Sequence, residues 1–417
     1  MSAAKPFTIE KQLVYDAWKA VKANAGSAGV DKETIDDFEK DLKNNLYRLW
    51  NRMVSGSYFP PPVKAVTIPK KNGGERILGV PTVTDRIAQM VVKLALEPNL
   101  EPIFLPDSYG YRPGKSALDA IAVTRERCWR FDWVLEFDIK GLFDNIDHDL
   151  LLRALDKHTE QQWIKLYLQR WLRAPLQKAD GVLLERSKGT PQGGVVSPLA
   201  ANLFLHYAFD MWMTRMYPKI PWCRYADDGV VHCKTEAEAQ NIKIALEARF
   251  LECKLEMHPE KTKIIYCKDA SRKKTYPVTK FDFLGYTFRR REVKSKNRKQ
   301  LFLGFNPAVS RNALKSMRAK VRDLNVRNRS ELSLHDIAKI INPILRGWIN
   351  YYGRFHMTAL DPMFRHCDET LVRWAMHKYQ RLKYAKGSAC RFVDDIAKRQ
   401  KHLFVHWQFI KRSGCAV

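Results

Sequence analysis

Acidic residues are scarce in this chain: 45 Asp and Glu stand against 72 Lys and Arg in 417 residues, a formal net charge of +27. The shortfall is uneven. Residues 291–417 carry 27 Lys/Arg and 9 Asp/Glu, a net of +18, whereas the first 290 carry 45 and 36, a net of +9. Interleaved with Trp, Tyr and Phe, that imbalance points to a polyanionic partner, nucleic acid above all. Paired cysteines are also missing. The eight cysteines (128, 223, 233, 253, 267, 367, 390 and 415) contain no C-x₂-C pair, which argues against a zinc module and a disulfide framework. No N-terminal stretch is charged and then apolar, and no apolar run reaches membrane-spanning length. These absences predict a cytoplasmic protein with reduced thiols and no membrane partner. Low-complexity tracts and internal repeats are absent too, so the length should resolve into roughly two to four compact units.

What the chain does contain begins with helical periodicity. Ile9, Leu13, Ala17 and Val21 share one face of a helix over 8–25 that Thr8 could cap and Gly26 end, and a second helix is expected to about Val54. Phe59-Pro-Pro-Pro62 precedes a strand from Val63 to Ile68, and Ile77 to Val80 makes another. Between them, Pro69–Arg76 is a glycine-rich tip flanked by cations. Its N–H groups, with Lys70 and Arg76, could face a phosphate; an ordinary basic hairpin is the plain alternative. It lacks the Walker A spacing. Further on, Ser197 and Pro198 look like the cap and first position of a helix. Phe281–Phe288 and Gln300–Phe305 should form a hairpin with a basic tip, Arg289–Lys299. From Ser310 the chain turns helical and basic. Trp348 and Tyr352, beside Arg346 and Arg354, could stack on bases or belong to a core.

Two stretches carry the chemistry. Pro221–Cys233 reads as a hairpin in which Asp228-Gly229 supplies the tight turn, so that Asp227 and Asp228 sit at its tip. A plain turn is the bland reading, but adjacent carboxylates repel and call for a cation. All-oxygen ligands favour Mg²⁺, with Mn²⁺ able to take its place. Trp133–Phe137 reads as a buried strand with Asp138 at its carboxyl end, where such sheets present catalytic groups. If these strands are neighbours, three carboxylates converge. Such a triad can hold two metal ions about 3.5–4 Å apart for in-line displacement at phosphorus. Lys70 and Arg76 would add cations for a triphosphate.

In order, segments 67–81, 107–115, 134–150, 188–206, 221–233, 254–265 and 281–288 resemble the sequence blocks of reverse transcriptases. The wording is closer still to bacterial group II intron reverse transcriptase–maturases: Ile68-Pro-Lys-Lys-Asn-Gly-Gly-Glu-Arg76, Tyr109-Gly-Tyr-Arg-Pro-Gly114, Gly189-Thr-Pro-Gln-Gly-Gly194 and Ser197-Pro-Leu199. Arg346-Gly-Trp-Ile-Asn-Tyr-Tyr352 is similar to the maturase, or X, region of those proteins. The likeness runs over nearly the whole chain.

The resemblance implies an α+β right-hand polymerase with a helical thumb. Its expected parts are an N-terminal helical extension (1–60), fingers and palm (61–305), a thumb/maturase (X) domain (306–386) and a short basic tail (387–417) that could bind DNA or simply end the X domain. Asp138, Asp227 and Asp228 would be catalytic and hold the metals. Lys70 and Arg76 would contact the dNTP, Gln192 would lie against it, and Phe143 would stand at the steric gate that blocks a ribose 2′-hydroxyl. Arg318, Arg322, Arg346, Trp348, Tyr352 and Arg354 would bind RNA. The implied activity is RNA-directed DNA synthesis on an RNA template with a DNA primer. Binding to group II intron RNA would assist splicing, and target-primed reverse transcription would insert the intron into target DNA. Many relatives carry a C-terminal His-Asn-His endonuclease with paired cysteines; without C-x₂-C, second-strand cleavage is not expected. Three rivals remain: an RNA-dependent RNA polymerase, an RNA-binding splicing cofactor with a silent polymerase fold, and a domesticated relative in phage defence or DNA repair.

Overall fold

A computed structural model describes residues 6–69, 74–294 and 301–410. Three helices open it: α1 (Lys11–Asn24), α2 (Ile35–Lys40) and α3 (Leu42–Val54). Strands β1 (Val63–Pro69) and β2 (Glu75–Val80) precede α4 (Val83–Leu100) and α5 (Ala117–Arg130). Next come β3 (Trp133–Asp138), α6 (Leu142–Asn145), α7 (His148–Asp156) and α8 (Gln162–Arg173). The two-residue strands β4 (Leu176–Gln177) and β5 (Leu183–Leu184) lead to α9 (Ser197–Leu205) and α10 (Met211–Met216). After β6 (Trp222–Tyr225), β7 (Asp228–Cys233), α11 (Glu236–Glu252) and β8 (Lys263–Tyr266) come β9 (Lys280–Phe283), β10 (Tyr286–Lys294) and β11 (Leu301–Val309). Four helices follow: α12 (Arg311–Asp323), α13 (Leu334–His356), α14 (Asp361–Lys378) and α15 (Lys386–Arg399). The class is α+β. No helix among the described residues is long and apolar enough to cross a membrane.

The chain divides into two compact units. One comprises the chain up to Ala120 with Leu135–Ile264; the other comprises Ile121–Val134 and the chain from Ile265 on. In the first, β1 and β2 pair antiparallel from Lys64↔Val80 to Pro69↔Glu75, in a sheet ordered β2-β1-β4-β5. A second sheet, β6-β7-β3-β8, carries the Asp138 strand beside the Asp228 strand. Helix α4 is buried almost all round, from Val83 and Ile87 to Val92 and Leu100. It therefore buries polar groups too. Asp85 accepts from the Tyr58 hydroxyl (2.7 Å), Trp171 Nε1 (2.7 Å) and Gln89 Nε2 (2.9 Å), while Gln89 Oε1 accepts from Val195 N (2.7 Å). A buried carboxylate is tolerable because every bond it needs is made.

In the second unit, β11-β10-β9 form an antiparallel sheet. A helical core gathers Met317, Ile341, Leu345, Phe364, Leu371 and Trp374. Ala389 and Val393 of α15, with Phe404 and Trp407, are buried in that same core, so residues 386–407 pack as an integral part of it.

Several local expectations change. Glu10, not Thr8, precedes α1, and Ala25 at φ 53° ends it ahead of Gly26. The second expected helix is two, interrupted at Asp41. Residues 281–288 are not one strand: Leu284 (φ 51°) and Gly285 (φ 80°) turn the chain between β9 and β10. Arg289–Lys294 consequently belong to a strand, and 295–299 of the expected tip, with Gln300 of the expected strand, lie outside the described residues. Ser197 is the first residue of α9 and its hydroxyl meets that of Thr190 at 2.8 Å, so it does not cap. Ser333 and Asp336 form a reciprocal capping box at the start of α13, which runs on through Pro343.

Candidate active site

The hairpin tip is built differently from its sequence signature. Tyr225 pairs with Asp228, so Ala226 and Asp227 make the turn, with Ala226 at φ 54°. Gly229 lies inside β7. It is required there for space: a Cβ would come within 2.1 Å of Phe137 Cζ on β3. That close approach sets Asp138, the residue after Phe137, beside Asp228, the residue before Gly229.

Beneath the tip a buried ion pair fixes the turn. Arg224, fully buried, donates from Nε to Asp210 Oδ1 (2.7 Å) and from Nη2 to Asp210 Oδ2 (2.6 Å). Its remaining donors reach Asn202 Oδ1 (3.2 Å), the Ala226 carbonyl (3.1 Å) and Ser108 Oγ (2.8 Å). Asp210 closes a π-helical turn, His206–Asp210, between α9 and α10. The 107–115 segment clamps the other side. Tyr109 N donates to the Arg224 carbonyl (2.9 Å), Arg224 N donates to the Asp107 carbonyl (3.0 Å), and a Cβ on Gly110 would stand 2.4 Å from Ala226 N. Arg112 has a structural job, clasping Glu101 with Nη2–Oε1 at 2.6 Å.

The three aspartates share one electrostatic site. Burial, then the charges of Asp227 and Asp138, push the Asp228 carboxyl up to about 7. Burial also raises Asp227, with Asp138 adding to the rise and Lys261 and Arg76 opposing it. Lys261 donates to Asp138 Oδ2 in an ion pair. With Asp138 so engaged, the described residues contain no group of three His, Cys, Asp or Glu side chains set to hold a metal ion. The expected convergence is thus one of charge, not of a ready ligand cage. The donor set still fits a hard divalent cation: all oxygen, partly buried, and with burial and two neighbouring carboxylates pushing one carboxyl up to about 7.

Beside the aspartates, two residues expected at the nucleotide meet each other. Arg76 Nε donates to Gln192 Oε1 at 2.5 Å, and Gln192 Nε2 donates to Asp144 Oδ2 at 3.2 Å. Gly79 N donates to the Gln192 carbonyl (2.8 Å), and a Cβ on Gly193 would lie 2.4 Å from the Gly79 carbonyl oxygen. The glycines of this loop let it lie flat on β2. Phe143 is nearly buried, and its carbonyl accepts from Thr190 N at 2.6 Å. Lys70 lies outside the described residues.

Two residues join the site that no sequence pattern singled out. Lys261 sat unmarked in the 254–265 block, where only a contact could distinguish it from its neighbours. Tyr111, exposed and at φ 56°, feels Asp227 strongly enough, after burial, to raise its phenol. Of the residues expected to bind RNA, Arg322, Arg346 and Arg354 are exposed, Arg318 is half-buried, and Trp348 and Tyr352 pack against the helical core.

Residues 68–288 match the family described as reverse transcriptase (RNA-dependent DNA polymerase), and residues 314–392 match the group II intron maturase-specific domain. The chain is 32% identical over 203 residues to the group II intron-encoded protein LtrA of Lactococcus lactis subsp. cremoris, covering 48% of this chain and 33% of that protein. It is 31% identical over 311 residues to the protein YkfC of Escherichia coli K12, covering 65% of this chain and 78% of YkfC. It is 33% identical over 213 residues to an uncharacterized 91 kDa protein in the cob intron of Schizosaccharomyces pombe, covering 48% of this chain and 25% of that protein. The match thus spans about a third of LtrA's length. With the reverse transcriptase match beginning at Ile68, near the end of β1, and including Asp227 and Asp228, the chain belongs to the reverse transcriptase family and carries a group II intron maturase domain after it.

Proposed function

We propose that the chain is an RNA-directed DNA polymerase that also binds group II intron RNA, assisting its splicing and its insertion into DNA by target-primed reverse transcription. The observation that carries this is the juxtaposition of Asp138 with Asp227 and Asp228, one of whose carboxyls is pushed up to about 7 by burial and its neighbours. A divalent metal, Mg²⁺ by preference, would supply charge neutralisation at the reacting phosphate. Asp138, Asp227 and Asp228 would hold it, with Lys261 yielding Asp138 as metal enters. Arg76 and Gln192 would position the triphosphate and base of a dNTP, Lys70 would add a cation, and Phe143 would exclude a 2′-hydroxyl. In this reading the first unit supplies the fingers and palm, and the α12–α15 helices the thumb and maturase region. The exposed Arg322, Arg346 and Arg354 favour RNA on that region, and the setting is the cytoplasm.

Primer extension on a long RNA template with Mg²⁺ tests the proposal. Wild type should extend with dNTP and far less with rNTP. Asp227→Ala/Asp228→Ala should lose about three orders of magnitude or more, the scale set by removing a charged group from a phosphoryl-transfer site. A folded, RNA-binding wild type that makes no DNA would instead support a splicing cofactor with a silent polymerase fold.

A further inference from the structure

Outside the candidate active site, the second unit contains a groove of about 1290 Å³. Its cationic wall is Arg125 of α5, Arg289, Arg290 and Arg291 of β10, and Arg354 near the end of α13. Arg289, Arg290 and Arg354 are exposed, and among the described residues none of them enters a salt bridge. Burial and then Arg289 bring the Arg291 guanidinium down to about 10, and burial with the same two arginines lowers His356. Among the described residues, Glu292 is the one carboxylate on the wall.

Charge alone would describe a solvated face. The aromatic rings decide otherwise. Trp129 is 39% exposed and Phe302 42% exposed, edge to face at 6.4 Å, on the same groove. Both rings are held in place. Trp129 Nε1 donates to the Phe305 carbonyl (2.7 Å), and the Arg125 guanidinium, itself bonded to Asn306 Oδ1 (2.6 Å), lies 4.4 Å from the Trp129 ring centre. Phe302 folds back over Gly304, where a Cβ would meet its Cε2 at 3.0 Å. Fixed, half-bare rings between unpaired arginines combine a stacking platform with a phosphate track, the two elements that bind single strands.

We propose that this groove holds a single-stranded RNA segment, its phosphates on Arg289, Arg290 and Arg354 and its bases stacked on Trp129 and Phe302. A duplex would present no free base face to the rings. The choice of RNA over DNA rests on the function proposed above and on His356 and Thr358, joined at 3.3 Å on the wall, which offer an imidazole and a hydroxyl to a 2′-hydroxyl.

The test is fluorescence anisotropy with an unstructured, labelled oligoribonucleotide of about 20 nucleotides. No metal or dNTP is added, so the groove is read whether or not the chain polymerises. Arg289→Gln/Arg290→Gln should lower the slope of log K against log salt by about 1.4, some 0.7 per lost single-strand phosphate contact. Phe302→Ala should weaken binding about tenfold with the slope unchanged. Phe302→Leu, which keeps the apolar bulk, should show the same loss if stacking is the cause. A 4-thiouridine probe should crosslink to the peptides bearing Trp129 or Phe302. An unchanged slope in the double variant, crosslinks confined elsewhere, Phe302→Leu binding as wild type, or equal competition by duplex RNA or by single-stranded DNA of the same sequence would overturn the proposal. Failure of primer extension with these binding results intact would count against the polymerase reading alone.

Discussion

The Lys261 ammonium sits on the carboxylate of Asp138, a residue 123 positions earlier. If Asp138 holds metal as proposed, the ammonium stands on the same carboxylate and would compete with the ion for it. The lysine is half exposed, and pairs of that kind contribute about 0.2–1 kcal/mol. Lys261→Met should therefore tighten Mn²⁺ binding about 1.5- to 5-fold, as read by the free-ion signal in electron paramagnetic resonance. Looser binding would mean that the lysine helps to build the metal site.

Phe143 is nearly buried and anchored through its carbonyl to Thr190, which fixes where its ring stands. Phe143→Ala should lower the preference for dNTP over rNTP by about 10- to 200-fold, the range for removing bulk from a discriminating pocket. Single-nucleotide incorporation with each substrate measures it. An unaltered preference would remove the gate assignment.

Arg224 and Asp210 are both wholly buried, so neither charge can be left alone cheaply. Arg224→Met should destabilise the fold by about 3–5 kcal/mol, because Asp210 would remain charged and unpaired. Arg224→Met/Asp210→Leu should recover most of that loss in urea unfolding, though the Ala226 carbonyl would lose its donor.

Burial raises the Asp85 carboxyl above its ordinary 3.8, with bonds from Tyr58, Trp171 and Gln89 pulling the other way. The folded group therefore binds a proton at pH values where the unfolded chain has released it. Its contribution to stability is full below 3.8 and is lost as pH rises through the folded value. In urea unfolding, Asp85→Asn should gain on wild type as pH rises from 3.8 through the folded value. Tyr58→Phe, which strips a donor from the buried carboxylate, should cost about 1–3 kcal/mol.

How much of this was legible beforehand depends on the range of the forces involved. Strand β3 with Asp138 at its end, and the hairpin bearing Asp227 and Asp228, follow from local alternation and turn composition, which one segment carries by itself. The turn within it was misplaced by two residues: Ala226-Asp227 make it, not Asp228-Gly229. Ala226 takes the positive φ with Gly110 and the Arg224 guanidinium closed around it; Gly110 lies outside the hairpin, and so do Asp210, Asn202 and Ser108, which hold Arg224 in place. The same limit hid the partner of Lys261 and the fate of Trp348 and Tyr352. A helical i, i+4 spacing suits a stacking platform and a core equally, and only the packed neighbours distinguish them. Helix α8 left no mark in the reading although Tyr167 and Trp171 are buried, since Trp171 matters through Asp85, 86 positions away.

Gly229 shows how a position can be indispensable without taking part in any reaction. With 2.1 Å between an added Cβ and the Phe137 ring, there is room for a hydrogen and for nothing else. Even alanine would have to push β7 off β3, carrying Asp228 away from Asp138. In a survey of all single substitutions scored by DNA synthesis, position 229 should look as intolerant as the aspartates. Only a measurement that counts folded molecules separately from active ones would tell a spacer from a ligand.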